Sequence, residues 1–161
     1  MGFDRHSVVI PPGKNTIQGD LSIPQNSASI VVFAHGRGSS RHSPRNRFVA
    51  DSLNHAGQAT LLVDLLTPPE EALDARTSHL RFNIPFLAER LLAATDWLGG
   101  KPETEKLSVG YFGASTGSAA ALAAAAMRSN VVKAVVSRGG RPDLAAPYLP
   151  QVLAPTLFIV G

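Results

Sequence analysis

The chain of 161 residues contains no cysteine, which excludes disulfides, thiolate catalysis and cysteine metal sites. It has no apolar run of membrane-spanning length, and its first residues lack the layout of a signal peptide. Charged residues make up only 17% of the chain, against 44% hydrophobic residues, a balance typical of a globular protein. We therefore expect a soluble cytoplasmic protein that forms one domain over residues 1–161 and does not contact membranes.

The sequence also disfavours nucleic acids, nucleotide cofactors and metals as partners. The net charge is only +3, and the basic residues are spread over several loops rather than gathered in one stripe, so we expect no nucleic-acid binding. The glycine-rich segment after residue 35 lacks the third glycine of a dinucleotide fingerprint, and no Walker-type Gly-Lys-Ser/Thr is present. No histidine–carboxylate cluster has metal-ligand spacing. The sequence therefore predicts neither a cofactor nor a metal.

Short apolar strands alternate with helical segments, which predicts an α/β fold with a mostly parallel sheet covered by helices on both faces. The strands are expected at residues 7–10, 17–23, 30–34, 60–63, 107–112, 131–136 and 156–160, and the helices at about 48–57, 83–98 and 118–128. In the second strand, polar residues alternate with apolar ones, so one of its faces should be wet. Phe48, Val49, Leu53 and Ala56 should form the apolar face of the first helix, and residues 67–81 a connection near the mouth of the site.

The chain is organised around residues 113–117, a G-x-S-x-G pattern between a predicted strand and an alanine-rich helix. This context is that of a nucleophile elbow, in which Ser115 would attack a carbonyl. Glycine at positions 113 and 117 would relieve crowding around Ser115 in so sharp a turn. The alternative is an ordinary glycine-rich turn in which the serine only caps the helix.

The loop that follows the third strand is the candidate oxyanion loop. It contains Gly36 and Gly38, which let the backbone approach a ligand at the carboxyl edge of the sheet. We expect the main-chain N–H of Arg37 to be one oxyanion donor and the N–H of Thr116 to be the other. Asp64, at the end of the fourth strand, should hold its own loop by accepting backbone N–H bonds.

Three segments together resemble an α/β-hydrolase of the dienelactone-hydrolase-like branch: residues 35–40, 113–117 and 154–161. The resemblance covers nearly the whole chain. It implies a mostly parallel, three-layer sheet with an antiparallel second strand, and hydrolysis of a small-molecule ester, lactone or related acyl bond. Dienelactone hydrolase itself uses cysteine, whereas this turn carries Ser115.

The resemblance also implies a triad in the chain order nucleophile, acid, histidine. The family's acid normally follows the seventh strand and its histidine the eighth, so we expect the C-terminal part of the fold to be missing from these residues. The one acidic residue after Ser115 is Asp143. It follows the sixth strand, a position that some relatives use for the acid of the triad, but it fits the start of a helix better. No histidine follows His79. His35 and His42 should hold their loop through backbone bonds.

Two functions from different classes remain open at this stage. One is a serine acyl hydrolase, and the other is a catalytically silent fragment or ligand-binding module that keeps the oxyanion pocket. Loop arginines such as Arg41 and Arg138 suggest substrate contacts and an anionic substrate, although solvated arginines would give the same pattern. The last predicted strand would present an uncharged apolar edge, through which the chain could self-associate.

Overall fold

The computed structural model describes residues 4–11, 15–36 and 38–161. Its strands are β1 (His6–Ile10), β2 (Ile17–Ser22), β3 (Ser29–Ala34), β4 (Ala59–Val63), β5 (Ser108–Ala114), β6 (Val132–Arg138) and β7 (Thr156–Ile159). Its α-helices are α1 (Pro44–His55), α2 (Pro68–Thr77), α3 (Ile84–Gly99) and α4 (Thr116–Met127). Short 3₁₀ helices span Leu80–Phe82, Pro142–Ala145 and Leu149–Gln151.

All seven strands form one sheet in the order β1-β2-β4-β3-β5-β6-β7. β2 is antiparallel to both of its neighbours, whereas every pairing from β4 to β7 is parallel. Each parallel pair needs a crossover, which the helices supply. The predicted fold class and the antiparallel second strand are therefore confirmed.

Helices cover both faces of the sheet, but unequally. Consecutive residues of a strand point to opposite faces, and Val32 belongs to the core cluster that includes α3 and α4, whereas Phe33 packs with Ala50 of α1. On the α1 face an apolar cleft of about 370 Å³ runs from Val31 to Leu157 and Ile159. The cores are thus one large layer beneath α3 and α4 and a smaller layer beneath α1.

The predicted apolar face of α1 is confirmed for Val49 and Leu53, which pack against the core cluster of Phe33, and is wrong for Phe48 and Ala56. Phe48 is 72% exposed and Ala56 is also exposed, while Val49 and Leu53 are only half-buried. The residues of α1 that are buried are Asn46, Ala50 and Asn54. The two asparagines can be buried because their side-chain amides form hydrogen bonds, Asn46 with Arg138 and Asn54 with the Gln58 carbonyl and Thr60.

The predicted wet face of β2 is also wrong for two of its three polar residues. Gln18 is exposed, but Asp20 and Ser22 are buried. Asp20 tolerates burial because the Arg47 guanidinium donates to it at 2.9 Å and Arg41 Nε lies 3.4 Å away. The loop and helix after β3 therefore cover a strand face that alternation alone assigned to solvent.

The predicted connection over residues 67–81 contains a helix, α2. Thr67 caps it, because its hydroxyl accepts from the Glu70 N–H while the Glu70 carboxylate accepts from the Thr67 N–H. Pro68 occupies the first helical position, where a missing N–H costs nothing. Arg90 of α3 also stabilises this cap, because its guanidinium donates to the Glu70 carboxylate and to the Leu65 carbonyl.

Strand register brings the site together at the carboxyl edge of the sheet. Ala34 at the end of β3 lies opposite Gly113 of β5, and Ala114 lies opposite Arg138 of β6. The loops after β3, β5 and β6 therefore emerge side by side. In the described part of the chain, no helix combines the length and the apolarity needed to cross a membrane.

Candidate active site

Ser115 connects β5 to α4 and has an unusual backbone conformation. Its φ is 55° and its ψ is −127°, in a region that side-chain-bearing residues rarely adopt. The strand before it and the helix after it have the bounds that the sequence predicts to within two residues. A tight turn between two buried elements therefore places the half-buried Ser115 at the edge of the sheet.

Three glycines make this close packing possible. A Cβ on Gly113 would lie 2.5 Å from Ser118 Cα, and a Cβ on Gly36 would lie 2.5 Å from Ser115 Cβ. A Cβ on Gly117 would collide with the Ala34 carbonyl oxygen at the end of β3. The expected reason for glycine at 113 and 117 is therefore corrected, because the nearest crowding atoms belong to the start of α4 at Gly113 and to the end of β3 at Gly117, and not to Ser115.

The Ser115 side chain does not cap α4. No side-chain hydrogen bond caps this helix, and among the described residues no hydrogen bond to the Ser115 hydroxyl is found. The helix-capping interpretation is therefore wrong. The hydroxyl stays available to a molecule that binds at the edge of the sheet.

One backbone N–H next to Ser115 is without a helical partner. Thr116 is the first residue of α4, so its N–H has no acceptor within the helix. Gly36, Gly38 and Thr116 line one small pocket, in which the N-terminus of α4 favours negative charge. Arg37, the other expected donor, lies outside the described residues, so its role stays a prediction.

His35 has a structural role. Its Nε2 accepts the Leu65 N–H at 3.1 Å, so the proton is on Nδ1, which donates to the Gly36 carbonyl at 3.0 Å. Asp64 likewise accepts the Arg41 N–H at 2.7 Å. Both interpretations, that these residues hold their loops through backbone bonds, are confirmed.

The other candidates for a triad have different partners. His42 is exposed, and its Nδ1 accepts from the Arg47 guanidinium at 2.9 Å rather than bonding the backbone as expected. Asp143 is exposed at the start of a 3₁₀ helix, where Arg141 donates to both carboxylate oxygens. These hydrogen bonds hold the pKa of Asp143 below its ordinary value. The preferred interpretation, a residue at the start of a helix, is confirmed, and a role as the acid stays the untested alternative.

One cleft joins Ser115 to two arginines. It has a volume of about 310 Å³ and is lined by Ser115, Arg138 and Arg45, among others. Arg138 donates to Asn46 Oδ1 at 2.9 Å and lies over the Phe112 ring, 5.3 Å from its centre. Burial lowers the pKa of Arg138, and the nearby charge of Arg45 lowers it further. Among the described residues no carboxylate pairs with either arginine.

Arg41 has a different environment. Its guanidinium pairs with Asp64 and lies beside Asp20, so its charge is balanced. It lines a separate cleft of about 400 Å³ together with Gly38 and Glu71. The predicted substrate contact of Arg41 stays a prediction. No cluster of three or more potential metal ligands occurs within residues 4–11, 15–36 and 38–161.

Comparison with known proteins identifies the family. A dienelactone hydrolase from Anabaena variabilis matches 100% of this chain with 59% sequence identity and a TM-score of 0.96, and the chain covers 74% of that structure. The chain belongs to the dienelactone-hydrolase-like α/β hydrolases. A dienelactone hydrolase-like promiscuous phosphotriesterase from metagenomic libraries shares the fold at 18% identity and a TM-score of 0.77, with 100% of this chain and 70% of that one covered.

Curated relatives of this dienelactone-hydrolase-like chain carry another name. Two Mycobacterium tuberculosis proteins, provisionally named phosphoribosyl transferases, are 56% identical to it over 154 residues, which are 96% of this chain and 34% of theirs. The chain thus spans about a third of the length of these relatives. No family model matches it.

Sequence reasoning missed Arg45 and Asn46 because nothing in the local pattern of α1 marks them. They reach the site only because α1 and the end of β6 are neighbours, which the sheet order decides. It also missed Ser118, which looks like one more small residue in an alanine-rich helix. The one available signal for Ser118 was that it directly follows the G-x-S-x-G pattern.

Proposed function

We propose that Ser115 is the nucleophile of a serine acyl hydrolase that cleaves small-molecule esters or lactones through an acyl-enzyme. The observation that carries this proposal is the backbone of Ser115, held at φ 55° between β5 and α4 with its hydroxyl unbonded among the described residues. Strain of this kind is characteristic of a nucleophile elbow. The membership of the dienelactone-hydrolase-like family supports the same class of chemistry.

In the proposed reaction, Ser115 Oγ bonds to the carbonyl carbon of the substrate and gives its proton to a base. The carbonyl oxygen becomes an oxyanion, which the Thr116 N–H and the proposed Arg37 N–H stabilise. The bond from carbon to the leaving oxygen then breaks, and the base returns the proton to that oxygen. Water repeats these steps on the acyl-serine, which releases the acid and restores the hydroxyl.

Whether a base is present to accept the Ser115 proton decides between this function and the alternative, a silent fragment or ligand-binding module. No imidazole among the described residues hydrogen-bonds Ser115. We therefore expect the 161-residue chain alone to hydrolyse a p-nitrophenyl ester little faster than its own Ser115→Ala variant. Ser115-dependent turnover at rates ordinary for an esterase would instead show that the chain supplies its own base, and His42→Ala would then be tested first.

In the natural protein that contains these residues, Ser115→Ala should lower kcat/KM for ester hydrolysis at least about 10³-fold, because the nucleophile is lost. Ser129→Ala, a matched serine near the far end of α4, should leave kcat/KM within about twofold. Steady-state hydrolysis of p-nitrophenyl acetate measures both. Equal rates for the wild type and Ser115→Ala would refute the assignment.

We also propose that the substrate carries an anionic group, which binds to Arg45 and Arg138. Two guanidinium groups without a carboxylate partner in the described part of the chain share a cleft with the proposed nucleophile. Asn46 and Phe112 hold Arg138 in place before any ligand binds. An anion would relieve the repulsion between the two charges.

Arg138→Met should therefore raise KM for an anionic ester, such as mono-p-nitrophenyl succinate, about tenfold or more, because a charge-assisted hydrogen bond is lost. KM for neutral p-nitrophenyl acetate should change less than about twofold. Arg141→Met serves as the control, because Arg141 is an exposed arginine that already has a carboxylate partner in Asp143. An equal rise in KM for both substrates would contradict anion recognition.

The name of the longer relatives does not bear on this proposal. It describes proteins of which this chain matches 34%, and none of the features described above favours phosphoribosyl transfer in the matched part. Neither of the glycine motifs that cradle phosphates is complete in the loop after β3. The Ser115 turn instead favours acyl chemistry.

A further inference from the structure

Ser118 carries a buried hydroxyl beside the proposed nucleophile, one turn into α4. Its side chain is fully buried. Ser118 Oγ donates to the Ser115 carbonyl at 2.8 Å and accepts the Arg141 N–H at 3.0 Å. Both hydrogen bonds of this hydroxyl therefore go to backbone, and one of them goes to the strained residue itself.

The loop after β6 completes a closed network around this hydroxyl. The Arg141 N–H also lies 3.3 Å from the Ser115 carbonyl oxygen, and the Ser115 N–H donates to the Arg138 carbonyl at 3.4 Å. Gly140 is required here, because a Cβ on it would collide with the hydroxyls of Ser118 and Ser137. The carbonyl and the N–H of Ser115 are thus both fixed by residues 138–141 and by Ser118.

A residue with a side chain stays at φ 55° only if its surroundings hold it there. We propose that Ser118 is a positioning residue, whose hydroxyl ties residues 138–141 to the Ser115 carbonyl and so holds the Ser115 hydroxyl in its attacking position. The catalytic consequence of this inference rests on the proposed function of Ser115. The structural consequence does not, because the same hydrogen bonds exist whether or not Ser115 reacts.

The first test compares Ser118→Ala with Ser137→Ala in the natural protein that contains these residues. Ser137 is also buried beside Gly140, but its hydroxyl makes no hydrogen bond to residues 113–117 in the described part of the chain. Ser118→Ala should lower the rate of fluorophosphonate labelling and kcat about 10- to 100-fold with KM unchanged, because a small misplacement of a reacting group is costly. Ser137→Ala should be labelled at nearly the wild-type rate, even if its Tm falls as far as that of Ser118→Ala.

The second test does not depend on reactivity. Amide hydrogen exchange at Arg141 should be faster in Ser118→Ala than in wild type, because the N–H loses its nearer acceptor. In Ser137→Ala it should stay at the wild-type rate. If wild type is not labelled at all, the proposed function fails, and the exchange rates alone then decide whether Ser118 holds the loop.

Two results would overturn the inference: a wild-type labelling rate and kcat in Ser118→Ala, or unchanged exchange at Arg141. If Ser118→Ala does not fold, Ser118→Cys replaces it, because a thiol keeps the shape but is a weak donor and acceptor. Its labelling rate should be reduced, and a wild-type rate with wild-type exchange would overturn the inference in the same way.

Discussion

Replacing Gly117 with alanine should lower the free energy of unfolding by about 3 kcal/mol or more, as overpacking of a rigid site does. The added Cβ would collide with the Ala34 carbonyl oxygen and lie 2.5 Å from that of His35. Both are backbone atoms at the end of a central strand, so they cannot rotate away as a side chain could. To fit the methyl group, α4 would have to move away from β3.

Urea denaturation of Gly117→Ala and Gly99→Ala measures this effect against a matched control. Gly99 ends α3, and a Cβ there would meet nothing within 4 Å. Gly99→Ala should therefore be neutral or stabilising by less than about 1 kcal/mol, the usual preference for alanine in a helix. Equal stability of the Gly117→Ala and Gly99→Ala proteins would show that α4 does not pack against β3 as described.

The second large effect is self-association of the 161-residue chain, which we propose occurs through β7. This strand pairs with β6 on one side only and lies at the edge of the sheet. Leu157 in this strand is 57% exposed and Ile159 is 44% exposed, and the apolar cleft on the α1 face continues from this strand. An unpaired apolar edge offers its N–H and C=O groups to a second copy of the chain.

We therefore expect dimers or larger species whose fraction rises with concentration in light scattering, together with binding of the dye ANS. Leu157→Lys should reduce both, because a charge on an edge strand opposes pairing. Val9→Lys is the matched control: it lies on β1, the opposite edge of the same sheet, and Val9 is 59% exposed. A monodisperse wild-type monomer without dye binding would contradict this prediction.

The sheet was predictable from the sequence because its central strands are apolar on both faces. Residues 30–34 and 60–63 have no polar interruption except Thr60, and such runs belong in a sheet that helices cover on both sides. The Ser115 turn was predictable because glycine, serine and glycine occur at fixed spacing between a strand and a helix. In both cases the signal lies within a few consecutive residues.

The errors lie where distant residues decide burial. Asp20 alternates with apolar neighbours and looks solvent-facing, but Arg47 covers it from a distant helix. Phe48 looks like a core residue of α1, but the neighbouring sheet face is only partly covered there. α2 is a different kind of error, since the capping box at Thr67 and Glu70 is a local signal that was present in the sequence.

The arginine cleft shows the same limit at the candidate site. In the sequence, Arg138 is one loop arginine among several. In the structure, Arg41 and Arg141 each pair with a carboxylate, whereas Arg138 has no carboxylate partner among the described residues. Ion pairing between elements depends on the three-dimensional arrangement. An anionic substrate could therefore be suggested from the sequence, but the residues that would bind it could not be selected.

The identity of the nucleophile is tested most directly by covalent labelling. The natural protein that contains these residues is treated with a fluorophosphonate, digested with trypsin and examined by tandem mass spectrometry. The account predicts one adduct, on Ser115 within the peptide of residues 107–128, and no adduct on that peptide in Ser115→Ala. An adduct on a different serine, or labelling of Ser115→Ala at the wild-type rate, would contradict it.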